Sequence, residues 1–240
     1  MTKFHAVRDH LLDRLESMSP GEPFPPEREL AGEMSVSRMT LRRAIDELVA
    51  QGVVRRRHGS GVFALSPKLD QSLVANSFTE DMNARGLRPG SRTVDFEIVP
   101  AGTRISRRLG IAASAEVFHI TRLRLADDEP IALEELTVPR TLIPELTAQD
   151  LENHSFYALL SDRCGISMTR STQTIEPTVL QENEASKLEV APQLPALLFE
   201  RVSWGSDGNP VEFVRSVYRG DRYKIHTELA IPMARKAARS

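Results

Sequence analysis

The sequence feature that most constrains the fold is the segment 25–63, whose pattern predicts two helices, a tight turn and a β-hairpin. Pro25 and Pro26 precede three charged residues, and proline suits the first position of a helix because its φ is fixed. Ser37 is a good N-cap for the second helix, since its hydroxyl can accept a hydrogen bond from a free backbone amide. Gly52 predicts the end of that helix. Between these two positions, apolar residues recur at the 3.6-residue period: Leu41, Ala44, Ile45, Leu48 and Val49.

The second of these helices carries arginines off its apolar face, and a basic hairpin follows it. Arg38 and Arg42 lie one turn apart at the N-terminal end of the helix. The segments 53–57 and 62–65 read as short strands, and the two glycines of the segment 58–61 permit the positive φ of a tight hairpin. Helix, turn, basic helix and hairpin in this order are typical of a winged helix-turn-helix domain, whose second helix enters the major groove of DNA.

The distribution of charge also points to a nucleic-acid partner for this segment. Six arginines and only two acidic residues lie between positions 35 and 61, although the whole chain of 240 residues has a formal net charge of −2. Positive charge is therefore concentrated where a phosphate backbone would lie. The alternative is that the basic helix is simply a solvated face and the hairpin simply a turn. The order and spacing of the two features together favour DNA binding.

Length and composition indicate an ordinary globular protein with two domains. A chain of 240 residues, with 40% hydrophobic and 27% charged residues, is comfortable for two domains. We expect a head over residues 1–65, a linker over 66–75 and a second domain over 76–235. The boundary follows from a stretch that lacks a clear period and contains a proline.

Several classes of protein are disfavoured by the same composition. The N-terminus lacks a signal-peptide pattern, and no apolar run approaches the ~18–20 residues that span a bilayer, so we expect no membrane partner. The single cysteine, Cys164, excludes an internal disulfide and a cysteine-based metal cluster and fits a reducing compartment. We therefore expect a cytoplasmic protein without a metal site or a cofactor.

The second domain alternates strand patterns with helix patterns, which predicts an α+β fold built on an antiparallel sheet. In the strand 117–125, alternation places Arg122 and Arg124 on the face that should line the core. Buried arginines must be paired with carboxylates or must hold an anion. Glu134 on the next strand could pair with them, and Ser155 begins a helix whose N-terminus suits an anion. A purely structural ion-pair cluster is the alternative.

The first domain resembles the GntR family of bacterial transcription regulators. The segments that carry the resemblance are 26–31, 36–42 and 57–63. It implies a winged helix-turn-helix head in which seven positions contact DNA: Arg28, Ser37, Arg38, Thr40, Arg42, His58 and Gly59.

The second domain resembles the UTRA effector domain, whose fold is similar to that of chorismate lyase, and the two resemblances together point to the HutC subfamily. The matching segments are 77–87, 122–124, 130–134, 155–160 and 210–223. The last segment is especially similar to amino-sugar regulators of the DasR type. The resemblance implies an effector site of nine residues: Arg122, Arg124 and Ser155 around a phosphate, Glu134, Tyr157 and Glu212 around a sugar, and Ser77, Phe78 and Tyr218 beside them.

These resemblances predict a homodimeric repressor that binds a palindromic double-stranded operator, because a two-fold protein matches a two-fold site. A small metabolite, with a phosphorylated sugar or amino sugar as the first choice, should release it. The alternatives are a sensor of a non-sugar metabolite such as an amino-acid derivative, an enzyme of the chorismate-lyase type, and a non-specific nucleoid protein. Against an enzyme, the sequence shows no Ser-His-Asp order, no HExxH segment and no phosphate-binding glycine loop, so we expect no catalytic residues.

Overall fold

The N-terminal domain is a three-helix head with a β-hairpin, as the sequence predicts. The computed structural model describes residues 3–57, 60–65, 69–71 and 77–226. The elements of the head are α1 (Lys3–Glu16), α2 (Glu27–Glu33), α3 (Arg38–Ala50), β1 (Val54–Arg57) and β2 (Gly61–Ala64). The two strands pair antiparallel, with Arg57 opposite Gly61. We call α3 the recognition helix and the β1–β2 hairpin the wing.

An apolar core forms where the three helices of the head meet. It contains one face of the recognition helix together with residues of the other two helices: Val7, Leu11, Leu30, Ala31, Leu41, Ala44, Ile45 and Leu48. The predicted apolar stripe was wrong at one position, because Val49 is 36% exposed. Each residue of a helix turns by about 100°, which puts Val49 roughly 90° from the middle of the buried stripe. The other four residues of the stripe are buried and pack the recognition helix against the rest of the head.

The second domain is a six-stranded antiparallel sheet with interspersed helices, which confirms the predicted α+β fold. With two short strands that flank it, its elements are β3 (Leu69–Gln71), α4 (Phe78–Ala84), β4 (Pro89–Pro100), α5 (Gly102–Leu109), β5 (Glu116–Ala126), β6 (Glu129–Pro139), α6 (Phe156–Cys164), β7 (Met168–Val179), α7 (Glu182–Lys187), β8 (Pro195–Gly205), β9 (Pro210–Arg219) and β10 (Tyr223–Ile225). The strand order is β4-β5-β6-β9-β8-β7. Within the described ranges of both domains, no helix is long and apolar enough to cross a bilayer.

Both faces of this sheet are buried near its centre. One face packs against α6, where Ile120 and Phe156 share a core cluster. The other face packs against α7, where Leu123 and Leu188 share a separate cluster. Successive residues of β5 therefore point into two different cores. Arg122 lies on the α6 side, as the alternation predicts, and is 0% exposed.

The segment predicted to be a linker contains a short strand. β3 pairs in parallel with β10, and Leu69 lies opposite Tyr223. Three residues are too few for an alternating pattern to show in the sequence, because periodicity becomes a signal only over about four residues or more. The first strand after the head is thus hydrogen-bonded to the last strand of the second domain.

The head touches the second domain at Gly52, directly after the recognition helix. Its φ of +69° is the left-handed conformation that the sequence predicts for a helix stop. A Cβ atom at this position would lie 2.5 Å from the backbone oxygen of Asp221 and 2.7 Å from its Cα. Only glycine permits this approach. The recognition helix therefore ends against the turn between β9 and β10.

Candidate DNA-binding surface and effector site

The N-terminal end of the recognition helix is fixed by a hydroxyl cap. Ser37 accepts a hydrogen bond from the backbone amide of Thr40 at 3.1 Å, and the two hydroxyl groups are 2.9 Å apart. The cap satisfies one of the amides that the first turn leaves free. The arginines that were predicted to contact DNA, Arg28, Arg38 and Arg42, are all exposed. Two of these arginines, Arg38 and Arg42, thus lie in the first two turns of the capped recognition helix.

An acidic residue that was not singled out in the sequence holds two arginines on this surface. The Nε of Arg42 donates to the Oε2 of Glu27 at 3.2 Å. Arg56 donates to Glu27 at 3.4 Å and to Asp46 at 2.6 Å. Exposed ion pairs contribute only about 0–1 kcal/mol, so these arginines can exchange their carboxylate partners for phosphates or base edges. Arg56 lies on β1 and is exposed, so we add it to the candidate DNA-binding residues.

The wing carries a further arginine beside an aromatic ring. The guanidinium of Arg57 lies 4.9 Å from the centroid of the Phe63 ring. Gly61 has a φ of +108°, which a residue with a side chain rarely adopts. The tip residues His58 and Gly59 lie outside the described residues. Their contact with DNA stays a prediction.

Arg122, the more buried of the two predicted pocket arginines, is held by the protein itself. Its Nη2 donates to Ser91 Oγ at 2.7 Å and to the carbonyl oxygens of Leu151 and His154 at 2.8 and 2.7 Å. Its Nε and Nη1 have no hydrogen-bond partner among the described residues. Burial, and then repulsion by Arg124, lowers the pKa of this guanidinium to about 9. Arg122 thus holds the loop that leads to α6. Its Nε and Nη1 groups are further donors, to which no described residue offers a hydrogen-bond acceptor.

Arg124 and Glu134 form the centre of the predicted cluster. The Nε of Arg124 donates to Glu134 at 3.2 Å, and its guanidinium lies 4.8 Å from the centroid of the Phe78 ring. Arg122 approaches the same carboxylate at 3.6 Å. Burial alone would raise the pKa of Glu134, but the charges of the two arginines outweigh it, and the pKa is lowered. The carboxylate is therefore ionised and shared.

A second carboxylate gathers hydroxyl groups and a third arginine. Tyr157 donates to Glu212 at 2.6 Å, and Ser203 donates to the same oxygen at 2.8 Å. Arg201 on β8 lies 3.6 Å from it. Burial, and then the negative charge of Glu212, raises the pKa of Tyr157, so the phenol keeps its proton as a donor. Arg201 and Ser203 were not among the predicted site residues, although their spacing of two residues from Phe199 places all three on one face of β8.

Two helix starts border the same region. Ser155 caps α6 by accepting a hydrogen bond from the amide of Ala158 at 3.4 Å. Ser77 caps α4 through a reciprocal pair of hydrogen bonds with Glu80. The hydroxyl of Ser77 thus has a structural role that does not depend on a ligand.

These residues surround one small cavity. It is lined by Ser77, Phe78, Arg122, Arg124, Glu134, Leu136, Ser155, Phe156, Tyr157, Arg201, Glu212 and Val214. Eight of the nine predicted effector residues are among them, and Tyr218 lies in an adjoining cavity. The structure brings the predicted set together, and its role in binding stays a prediction. No group of His, Cys, Asp or Glu side chains suited to a metal ion occurs within the described ranges.

The chain matches two protein-family models that correspond to the two domains. The model described as bacterial regulatory proteins, gntR family, matches residues 4–64. The UTRA domain model matches residues 84–224.

Relatives of known description extend over nearly the whole chain. The HTH-type transcriptional repressor NagR of Bacillus subtilis (strain 168) is 35% identical over 223 residues, which cover 92% of this chain and 91% of that protein. The mannosyl-D-glycerate transport/metabolism system repressor MngR of Escherichia coli (strain K12) is 30% identical over 227 residues, or 92% of this chain and 93% of that one. The crystal structure of PhnF from Mycobacterium smegmatis superposes with a TM-score of 0.67 at 33% identity, covering 94% of this chain and 100% of that chain.

Proposed function

The chain belongs to the GntR family of bacterial regulatory proteins and carries a UTRA domain, and on that premise we propose that it is a repressor of transcription released from DNA by a small anionic metabolite. Similarity to NagR and MngR, two transcriptional repressors, favours a regulator over an enzyme of the chorismate-lyase type. It acts in the cytoplasm, where bacterial DNA lies.

In this proposal the head reads DNA through the start of the recognition helix. The helix enters the major groove, where Arg38 and Arg42 reach guanine edges or phosphates. Ser37 and Thr40 approach the backbone beside the capped first turn. The wing straddles the adjacent minor groove with His58 and Gly59 at its tip. The supporting observation is that the exposed arginines Arg42 and Arg56 form ion pairs with the carboxylates of Glu27 and Asp46, which are weak at a solvent-exposed surface.

The protein acts as a homodimer in this proposal. A two-fold dimer presents two recognition helices related by the same axis as a palindromic operator. Each half-site then receives one head, and the two heads must be held about one helical turn of DNA apart, or a multiple of it.

The observation that carries the effector proposal is an excess of positive charge around the buried cavity. Three arginines but only two glutamates line it: Arg122, Arg124 and Arg201 against Glu134 and Glu212. One positive charge is therefore not compensated by the lining, and uncompensated charge in a low-dielectric interior is costly. A bound anion restores the balance. Guanidinium groups suit phosphate in particular, because they offer two parallel N–H donors.

Hydroxyl-binding groups beside these arginines favour a phosphorylated sugar or amino sugar. Tyr157 and Glu212 line the same cavity, and since the phenol donates its proton to Glu212, both groups present oxygen acceptors to ligand hydroxyls. The description of MngR as the repressor of a mannosyl-D-glycerate system agrees with a carbohydrate-derived effector. An amino-acid derivative is the alternative that the binding test separates.

The direct test first selects the genomic DNA fragments that the wild-type chain binds. It then measures whether a metabolite releases the chain from a selected fragment. We expect glucosamine 6-phosphate or glucose 6-phosphate to lower the fluorescence anisotropy of the labelled complex, whereas histidine and unphosphorylated glucosamine do not. Equal affinity for all fragments would indicate a non-specific nucleoid protein. Release by amino acids, with none by sugar phosphates, would contradict the proposed effector class.

A further inference from the structure

One large apolar side chain projects into solvent at the start of the recognition helix. Met39 is 72% exposed, more than any other large hydrophobic residue in the described part of the chain. The residues proposed to contact DNA surround it in the sequence, at Arg38, Thr40 and Arg42, but do not include it. A single exposed apolar residue is normal at a protein surface, so its position decides whether it has a role.

The helix turns Met39 directly away from the core of the head. The opposite face of the helix consists of four buried residues: Leu41, Ala44, Ile45 and Leu48. At about 100° per residue, Met39 lies roughly 170° from the middle of that face. The first turn is also held in place, because Ser37 accepts a hydrogen bond from the amide of Thr40 at 3.1 Å. Met39 is therefore foremost when the N-terminal end of this helix enters a major groove.

Two arginines one turn further along the helix are held to either side of Met39. Arg42 donates to Glu27 of α2 at 3.2 Å. The guanidinium of Arg43 lies 5.1 Å from the centroid of the Phe4 ring of α1. In angle about the helix axis, Met39 lies between the two arginines. The surface that would face the bases thus has an apolar centre and basic flanks.

The apolar centre matches one chemical group in the major groove. Base edges there present hydrogen-bond donors and acceptors, and the C5-methyl group of thymine is the apolar exception. The thioether of methionine is only a weak acceptor, so it cannot replace the water that a polar edge would lose. Its unbranched chain adapts readily to an apolar contact.

We infer that Met39 is a specificity-determining residue that contacts the methyl group of one thymine in each half-site of the operator. This inference rests on the proposed reading of DNA by the recognition helix. The alternative is a solvated position that methionine occupies because it is a good helix former.

The test removes the methyl group from the DNA, one thymine at a time. Each thymine of a selected fragment is replaced by deoxyuridine, which forms the same base pair without the methyl group. Fluorescence anisotropy gives the affinity of the wild type and of Met39→Gln, a variant of similar length whose polar side chain is also a good helix former. At one thymine in each half-site, deoxyuridine should weaken binding of the wild type roughly fourfold, because burying one methyl group is worth about that much. Met39→Gln should not respond at that thymine.

A matched control and a second variant separate the possible outcomes. Val49→Ala trims a partly exposed apolar side chain at the other end of the same helix and should respond to deoxyuridine as the wild type does. The inference is overturned if the wild type and Met39→Gln respond alike at every thymine. With Arg42→Ala still weakening binding, that result removes the methionine contact alone. If Arg42→Ala also binds as the wild type does, the proposed reading of DNA by this helix is overturned as well.

Discussion

At the scale of single residues, two arginines on one strand face have different roles. Arg122 donates from one nitrogen to three groups of the protein, including the carbonyl oxygens of Leu151 and His154. Arg124 shares Glu134, and its guanidinium lies over the ring of Phe78, which also lines the cavity. Arg122 therefore positions the loop before α6 as well as lining the site, while Arg124 is the arginine best placed to respond to a ligand.

The lowered pKa of Glu134 gives a prediction about acid stability. An unfolded glutamate takes up its proton near pH 4.5, and the folded one only at lower pH. The contribution of this carboxylate to stability is thus full above about pH 4.5 and is lost as the pH falls through the folded pKa. We expect the melting temperature of the wild type to fall more steeply between about pH 5 and about pH 3 than that of Glu134→Gln.

Scanning calorimetry across this range measures the two slopes. Glu135→Gln is the matched control, because its carboxylate is partly exposed and pairs only at the surface with Arg215 at 3.5 Å. That control should keep the wild-type slope. Identical slopes for the wild type and Glu134→Gln would mean that this carboxylate is not stabilised by its arginines.

At the scale of elements, periodicity predicted the parts that are long enough to show it. The recognition helix has a clear stripe and a capping serine, and β5 has enough residues for alternation to place its arginines in the core. The three residues of β3 gave no signal, because their pairing depends on β10 more than 150 positions away in the chain. The position of Arg201 in the core could have been predicted, because it shares a strand face with Phe199 on β8 as Arg122 does with Ile120 on β5. Two of the three partners of Arg122 could not be predicted, because they are the carbonyl oxygens of Leu151 and His154 in a distant loop.

The recognition helix leads to a prediction about DNA affinity. Arg42 is exposed, and its ion-pair partner within the described part of the chain is Glu27, so Arg42→Ala should leave the fold unchanged. It should weaken binding to selected DNA by about 1–3 kcal/mol, because a contact to a base edge or phosphate is lost. Gel shifts measure the affinity. Arg107→Ala removes the same charge from an exposed position on α5 and should bind as the wild type does. Unchanged binding by Arg42→Ala would remove this arginine from the interface.

At the scale of the whole molecule, the end of the recognition helix and the strand after the head are both tied to the C-terminal part of the second domain. Gly52 lies against the backbone of Asp221, and β3 pairs with β10 directly after that turn. Tyr223 in β10 also lines the cavity that contains Tyr218 and adjoins the predicted effector cavity. One short segment of chain, residues 221–225, therefore contacts the head and borders this adjoining cavity. We therefore expect an effector that shifts this segment to change the position of the recognition helix.

The contact between Gly52 and Asp221 can be tested by comparison with Gly86, because both glycines have nearly the same positive φ. Gly52 and Gly86 have φ of +69° and +71°, but a Cβ at Gly86 would meet nothing within 4 Å. Alanine at either position costs about 1 kcal/mol through its φ. Only Gly52→Ala must also push away the backbone of Asp221. We expect this variant alone to show a larger radius of gyration in small-angle X-ray scattering. The same radius for both variants would contradict the contact.

The central claim is that a ligand held by the arginines of the second domain releases the head from DNA. Release requires a difference in effector affinity between the free and DNA-bound states. Arg124→Ala removes a charge-assisted contact worth about 1.5–3 kcal/mol, or roughly ten- to a hundredfold in effector affinity, without touching the head. The most direct measurement is a titration of glucosamine 6-phosphate against a preformed complex with selected DNA, for the wild type, Arg124→Ala and the surface control Arg140→Ala. We predict equal DNA affinity for all three, with release of the wild type and the control but not of Arg124→Ala at the same concentrations. Equal release curves for all three would contradict it.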